Sequence, residues 1–434
     1  MAAIVAIMHT HHFSRIIIMD LLELINLPET EVIEVTKTKN NDVNITIETT
    51  EQSTTCRRCG NKLKKRHGCD KERKVRHLPV FGRPTYIIYK PHRYICDNCD
   101  NQPTTTATPP WHKQNSAYTI DYETHILTEL VNSTLVDVSM KEKLTEKSVK
   151  GILDRHIVSK VDWKKINYIG VLGIDEIALK KGYKDYVTLI TCRNNGVVRL
   201  LAVINGREKA KIKAFLKSMP KKLKKTVEAI CTDMYEGYVN AAKEVFRNKA
   251  IVVIDRFHVA KLYRKCLDKY RQKILAELKQ MLAAKEYEKL KGAMHILRKG
   301  NECSSKKEKA VVAELFSHSP ELAEAYRLGL KLTQIFNTHM DKSDAIKKLN
   351  EWVREVRRSK LTCFDRFIKS LRKYKSEIAN YFIDRNTSAF VEGINNKAKV
   401  LKRRCYGIFN VSHLFQRLHL DISGYQLFNL ESAA

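Results

Sequence analysis

An α/β architecture interrupted by a long helical stretch is what the sequence predicts, and three observations predict it. First, three β-branched apolar runs follow one another, YIGVLGID (168–175), YVTLITC (186–192) and VVRLLAVI (197–204). The last two are joined by RNNG, where Asn-Gly signals a hairpin. Second, helix and strand patterns then alternate, as EKAKIKAFLKSM, TVEAICTD, YEGYVNAAKEVF and AIVVID. Third, from about residue 257 to 385 strand signals give way to Lys-rich amphipathic patterns such as LDKYRQKILAELKQML.

Three antiparallel strands leading into two strand–helix crossovers is the element order of the ribonuclease H-like fold. In that layout the first and fourth strands are neighbours. Each of three apolar runs ends on a carboxylate: Asp175, Asp233 and Asp255. Strand ends are where α/β folds place their chemistry, so Asp175 and Asp233 are expected to meet. Adjacent carboxylates repel unless a cation lies between them. Hard oxygen donors select Mg2+ or Mn2+, and a third acid would complete a two-metal site for phosphoryl transfer.

The third acid is sought on the last helical pattern but one, SAFVEGINNKAKVLKRR. At about 100° per residue, Val391, Ile394, Ala398 and Leu401 share one side; Glu392, Asn396, Lys399 and Arg403 share the other. Glu392 suits a metal ligand flanked by the phosphate-binding groups Asn396, Lys399, Lys402, Arg403 and Arg404; the alternative is an ordinary exposed glutamate. Asp255 also has two readings. It either ligates the metal directly or, as favoured, hydrogen-bonds His258 on a strand-to-helix turn and supports the site from behind. Glu176 and Asp185 are expected to be structural or supporting.

The 434 residues suffice for two or three domains. With 79 Lys and Arg against 48 Asp and Glu, the net charge of +31 points to a polyanion partner, above all nucleic acid. No apolar stretch approaches the roughly 20 residues that cross a bilayer. Residues 1–18 lack the marks of a signal peptide, so a cytoplasmic location and a natural start at Met19 are expected.

Cysteines in a reducing compartment point to metal more than to disulfides. Cys56-x-x-Cys59 and Cys96-x-x-Cys99 are set among short strand patterns (VIEVTKT, VNITIET, RPTYIIYKPHRYIC), which suits a four-thiolate zinc site; the alternative is buried free thiols. Cys69, His67 and His77 lie between the knuckles; any of them could replace a ligand, and the expectation is that they are structural. NQPTTTATPPWH (101–112) has the composition of a linker. Beyond it, Thr145 is a candidate N-cap for a helix carrying Val149, Ile152, Leu153 and Ile157 inward. With a short helix before it, this makes a helix-turn-helix whose Lys147, Lys150 and Arg155 face DNA; an ordinary helical pair is the alternative.

GIDEIALKKGYKDYVTLI, CTDMYEGYVNAA, VIDRFHVAKL and VEGINNKAKVLKRRCYG, in that order, resemble the ISL3 group of bacterial insertion-sequence transposases. The segment from CRRCG to ICDNC resembles that family's zinc-binding part. The resemblance covers about residues 19 to 425. It implies a DDE enzyme that cuts the ends of its own mobile element and joins them to target DNA. It also implies Asp175, Asp233 and Glu392 as the catalytic acids, with Asp255 and His258 accompanying them. The domains expected are a zinc-binding domain (19–112), a helix-turn-helix (113–162) and a first catalytic part (163–258). A helical insertion (259–385) and a final catalytic helix (386–425) follow. Within the insertion, Trp352 is read as a core residue in preference to a contact with DNA ends. Expected partners are the terminal inverted repeats, target DNA and further copies of the chain, as a homodimer or higher oligomer on the nucleoid. Two rivals remain: a regulator that binds DNA with a dead catalytic domain, and a structure-specific nuclease of the same fold.

Overall fold

A computed structural model describes residues 27–180, 185–299 and 305–428. The expected start at Met19 lies outside them. The chain divides into two units, Met1–Ile157 with Ser423–Ala434, and Val158–Ile422. No helix among the described residues is long and apolar enough to cross a membrane.

In the first unit, β1 (Thr30–Lys37), β2 (Val43–Thr49), β6 (Arg73–Val80) and β7 (Arg83–Tyr89) form a sheet of order β1-β2-β7-β6. Alternate residues face its core, as Ile45 and Ile47 on β2 and Ile87 and Tyr89 on β7 show. The run expected as one strand from Arg83 to Cys96 divides at Lys90–Pro91. Beyond the proline, β8 (His92–Ile95) leaves the first sheet and pairs with β5 (Arg66–Cys69) and β9 (Thr104–Thr106). A two-stranded ladder, β3 (Thr54–Thr55) with β4 (Lys62–Leu63), stands beside the first knuckle.

The Pro- and Thr-rich stretch expected as a linker is not one. It supplies β9, and it buries Trp111 at 4% exposure edge-on to Tyr89, whose hydroxyl meets His112 Nδ1 at 2.7 Å. Its composition is that of a turn; its one tryptophan decides the outcome, by packing into the sheet core.

Three helices follow: α1 (Ile120–Leu130), α2 (Leu135–Glu142) and α3 (Glu146–His156), capped by Thr119, Thr134 and Thr145. Thr145 Oγ1 accepts from Ser148 N at 3.1 Å, as its sequence position predicts. Lys143 turns α2 into α3 with a left-handed φ of 53°. Val149, Ile152, Leu153 and Ile157 are buried.

In the second unit, β10 (Gly170–Ala178), β11 (Tyr186–Asn194) and β12 (Val197–Asn205) are antiparallel; β13 (Val227–Thr232) and β14 (Ile251–Ile254) extend the sheet in parallel from β10. The order is β12-β11-β10-β13-β14. Asn195 and Gly196 turn the β11–β12 hairpin with φ of 47° and 79°, the paired positive angles that Asn-Gly tolerates. Helices α4 (Lys209–Ser218) and α5 (Glu236–Phe246) make the crossovers, burying Ile212, Leu216, Val239 and Phe246.

From Arg256 to Asp384 the chain is helical where described. It begins with the long α6 (Arg256–Met281), followed by α7 (Ala284–Lys289), α8 (Ala293–Lys299), α9 (Lys306–His318) and α10 (Pro320–Asn337). Then come α11 (Lys342–Arg358), α12 (Asp365–Lys373), α13 (Lys375–Ala379) and α14 (Tyr381–Asp384). Trp352 is fully buried here. It lies edge-on to Phe364 and Phe367, and its Nε1 donates to Leu328 O at 2.8 Å. Helices α15 (Ala389–Arg404) and α16 (Val411–Leu427) return to the sheet, where Ile394, Ala398, Leu401, Leu414 and Leu418 pack on Ile177, Leu189 and Leu200.

Candidate active site

Parallel pairing of β10 with β13 ends at Ile174↔Thr232. The next residue on each strand is an aspartate, so Asp175 and Asp233 leave neighbouring strands at the same level. Asp175 does not end its strand, contrary to the expectation. Pairing with β11 carries β10 on to Ala178. The carboxylate marks the place where β13 stops, not where β10 does.

Both acids are held by hydrogen bonds. Asp175 Oδ1 accepts from Glu176 N at 2.8 Å, and Asp233 Oδ1 accepts from Tyr235 N at 2.9 Å. Burial pushes the Asp175 carboxyl above its ordinary value against the Glu176 amide, His258 and Asn395, which lower it. Burial likewise raises Asp233 to about 6, with Asp175 and Glu176 adding to the rise and the Tyr235 amide and His258 opposing it. Two half-buried acids side by side therefore resist full ionisation, which a divalent cation between them would reverse. The donor set is hard oxygen and fits Mg2+ or Mn2+.

Sequence reasoning missed how helix α15 joins the pair. Gly173 lies two residues before Asp175, and a Cβ there would stand 2.1 Å from Val391 Cγ2 and 2.9 Å from Phe390 Cζ. The glycine thus lets the helix lie on the strand backbone. One turn further along the helix, Asn395 Nδ2 donates to Asp175 Oδ2 at 2.7 Å. Glu392 is exposed, one turn before Asn395 and about 60° round the helix. It is not drawn into a tight cluster with the two aspartates. Among the described residues, the metal-capable groups whose ligand atoms all lie within 4.8 Å of one another are the four thiols discussed below.

Asp255 follows β14 and is 3% exposed. Its Oδ1 caps α6 by accepting from Phe257 N at 2.7 Å. Its Oδ2 accepts from Ser388 N at 2.7 Å and from the Ser388 hydroxyl. These bonds do not involve His258; instead His258, on the first turn of α6, stands near enough to lower both aspartates. Asp255 thereby clasps the start of α6 to the start of α15 across the whole helical stretch. Asp255→Asn is expected to slow the chemistry of this site about 10- to 100-fold, the usual loss for a group that positions a metal ligand. That is less than the loss from Asp233→Asn, and paired rate measurements check it; equal losses would make Asp255 a direct ligand.

Glu176 points away from Asp175 along the strand. It pairs with Arg207 Nη1 at 3.2 Å and accepts from the Tyr238 hydroxyl at 3.2 Å, a supporting arrangement. The expected phosphate-binding groups on α15 divide. Asn396, Lys399 and Arg403 are exposed. Lys402 Nζ is turned to Ala178 O at 2.5 Å, and Arg404 to the buried Asp421 at 3.6 Å, so these two anchor the helix instead.

The small helices show the same division. Lys147 is exposed, and Lys150 pairs with Asp154 at 2.5 Å. Arg155 is committed to the buried Glu123, with Nε at 3.1 Å, and His156 Nε2 lies 2.6 Å from the other carboxylate oxygen. Burial opposes the Glu123 charge, but bonds from His156, Arg155 and Ser116 outweigh it and hold the carboxyl down to about 2. Arg155 is therefore a brace between α1 and α3.

The second centre is built from two matching knuckles. Cys56 N bonds Asn61 O at 2.8 Å in the β3–β4 turn, and Cys96 N bonds Pro103 O at 3.0 Å between β8 and β9. This brings Cys56, Cys59, Cys96 and Cys99 together, with all four sulfurs within 4.8 Å of one another. The amides of Cys59 and Arg58 lower the Cys56 thiol to about 6, whereas Cys99 is pushed up to about 12, first by the thiol of Cys59 and then by burial. Four sulfurs this close cannot all be thiolates without a cation, and a tetrahedral sulfur set is what zinc takes. Cys69 sits apart, 3.5 Å from His92 Nδ1, and His77 bonds Thr119 at 2.9 Å.

A DDE-type transposase family model, ISL3, matches residues 172–418, from the strand before Asp175 to the helix beyond Glu392. The chain belongs to the ISL3 family of transposases. A second model, the zinc-finger of transposases IS204/IS1001/IS1096/IS1165, matches residues 52–99 and so spans all four cysteines of the cluster. The transposase is 26% identical over 376 residues to the transposase of insertion sequence element IS1001 from Bordetella parapertussis, covering 85% of this chain and 89% of that relative. It is 20% identical over 397 residues to the IS1557 transposase of Mycobacterium tuberculosis, covering 86% of this chain and 88% of the relative.

Proposed function

We propose that this transposase binds the terminal inverted repeats of its own insertion sequence, cuts DNA strands at the element ends and joins the ends to target DNA. The observation that carries the reading is the pair Asp175 and Asp233 at one level of adjacent parallel strands, with α15 laid over them. The sheet order supports a ribonuclease H-like catalytic domain, and the helices from α6 to α14 act as its insertion. Asp175 and Asp233, completed by Glu392, would hold Mg2+ or Mn2+, which supplies charge neutralisation for phosphoryl transfer. The chain's own groups do the rest. Asp255 and Ser388 fix the helix, His258 stands beside the acids, and Asn396, Lys399 and Arg403 meet phosphates. Water attacks the phosphorus at an element end and expels a 3′-oxygen, which leaves as a hydroxyl; that hydroxyl then attacks a phosphorus of the target strand and expels the target's 3′-oxygen, so one P–O bond forms for each one broken.

The zinc knuckles and the helices of residues 113–162 bind the element ends, with Lys147 and Lys150 toward the backbone, and two or more copies bring both ends together. The work is done in the cytoplasm on nucleoid DNA.

The test is incubation of the purified chain with DNA carrying the ends that flank its coding region, with Mg2+ or Mn2+. Cleavage and joining are expected. Binding without cutting under either ion would favour a regulator, and cutting without joining a nuclease. Binding should also weaken steeply with salt, by about a thousandfold or more between 50 and 200 mM if six or more phosphates are neutralised. Titrations at several salt concentrations read this directly, and a flat response would mean that the charge of +31 serves another partner.

A further inference from the structure

Helix α15 carries two neighbouring amides and treats them oppositely. Asn396 is exposed; Asn395 is 4% exposed. Asn395 Nδ2 donates to Asp175 Oδ2 at 2.7 Å, while its Oδ1 is buried and meets no donor among the described residues. The orientation follows from Asp175. An ionised carboxylate only accepts, so it takes the NH2 group and leaves the carbonyl oxygen facing elsewhere. A buried oxygen without a donor is costly. The close seat on Gly173 leaves the helix little freedom to relieve it. The same amide is bonded to one member of an acid pair whose charges call for a cation, and an amide carbonyl is a hard donor of the kind Mg2+ and Mn2+ accept.

We propose that Asn395 brings a second group of α15, besides Glu392, into the metal site. Its Nδ2 fixes Asp175, and its Oδ1 gives a neutral oxygen to the divalent cation, or to a water of that cation, held by Asp175 and Asp233. This rests on the metal reading of the acid pair given above. Glu392 then belongs to the exposed rim of the site and Asn395 to its floor.

The test uses the full chain with its zinc in place and Mn2+ as the probe, read by calorimetry and by the rise in thermal midpoint. Asn395→Ala should weaken Mn2+ binding about tenfold, the lower end of the usual loss for a group supporting a metal ligand. Asn395→Asp should lower the midpoint of the metal-free chain, because it adds a charge beside Asp175. Mn2+ should then raise that midpoint more than it does in the wild type, because the cation relieves the repulsion. Mn2+ affinity within twofold of wild type for Asn395→Ala, with no enlarged Mn2+ shift for Asn395→Asp, would overturn the proposal and leave a packing amide. If Asn395→Ala does not fold, the Mn2+ shift of Asn395→Asp decides alone. Asp175→Asn and Asp233→Asn separate the two levels. Loss of Mn2+ binding in these but not in the Asn395 variants defeats the proposal only. Unchanged binding in them, or none in the wild type, defeats the metal reading and the proposal together.

Discussion

Asp233→Asn is expected to give a folded chain that binds DNA and no longer cuts it. Asparagine keeps the shape and can still accept from the Tyr235 amide, which holds Asp233 at 2.9 Å. What it loses is a negative charge at the place where the cation is needed. The fall in strand cleavage should exceed the 10- to 100-fold typical of supporting groups, and Asp175→Asn should match it. Glu392→Gln should fall by orders of magnitude as well; a rate within a few-fold of wild type would remove Glu392 from the site. Binding to element ends should persist or tighten, since a carboxylate near phosphate has been neutralised.

A pH signature accompanies the Asp233 variant. Burial raises Asp233 to about 6 from an ordinary 3.8, so the folded, metal-free chain binds a proton more firmly than the unfolded chain does. The wild type therefore loses stability as pH rises through that window, and the asparagine variant, which keeps only the raised Asp175, loses less. Metal-free Asp233→Asn should melt above the wild type at pH 7, and the gap should close toward pH 4. Thermal scans across that range check the sign.

Loss of zinc should have the other large effect. The first knuckle rests on two-residue strands, β3 and β4, the second on the short β8 and β9, and both on a small cluster of Leu63, Tyr94, Ala107 and the cysteines themselves. So little apolar surface cannot hold four thiols together, whereas a structural zinc site contributes on the order of 10 kcal/mol. Chelation should open this segment to proteolysis while the β12-β11-β10-β13-β14 sheet stays folded. Cys56→Ser and Cys99→Ser should weaken binding to element ends about a hundredfold and binding to random DNA only a few-fold, since base reading needs a fixed surface and phosphate attraction does not. A chain that contains no zinc, with full end affinity in both variants, would refute this.

Much of this architecture is legible in the residues. β-branched runs gave the five strands of the second unit, and Asn195–Gly196 the hairpin, because both depend on local backbone preference. The burial of Val391, Ile394, Ala398 and Leu401 followed from helical periodicity alone. The site was only half legible, because its remaining parts depend on contacts between distant segments. Asn395 and Asn396 are adjacent and chemically identical, and only the turn of the helix sends one inward. A signal was present: Asn395 falls on the apolar side of its helix, four residues after Val391 and three before Ala398. A polar group on such a stripe seldom lacks a reason. The partners of Arg155, Lys402 and Arg404 were invisible, since Glu123, Ala178 and Asp421 meet them through tertiary packing. The bonds of Asp255 to Ser388 join residues 133 positions apart, which no local pattern can encode.

The helical stretch between Asp255 and Ser388 also sets a clock. Asn395 follows Asp233 by 395 − 233 = 162 residues. At a synthesis rate of about 5–20 residues per second, the ribosome needs roughly 8 to 30 seconds to add them. Throughout that interval the newborn chain already holds both aspartates and the zinc knuckles, yet has no helix to lay on Gly173. Under the proposed function, a chain broken anywhere within the helical stretch would keep the zinc knuckles and both aspartates but lack the helix that carries Glu392 and Asn395.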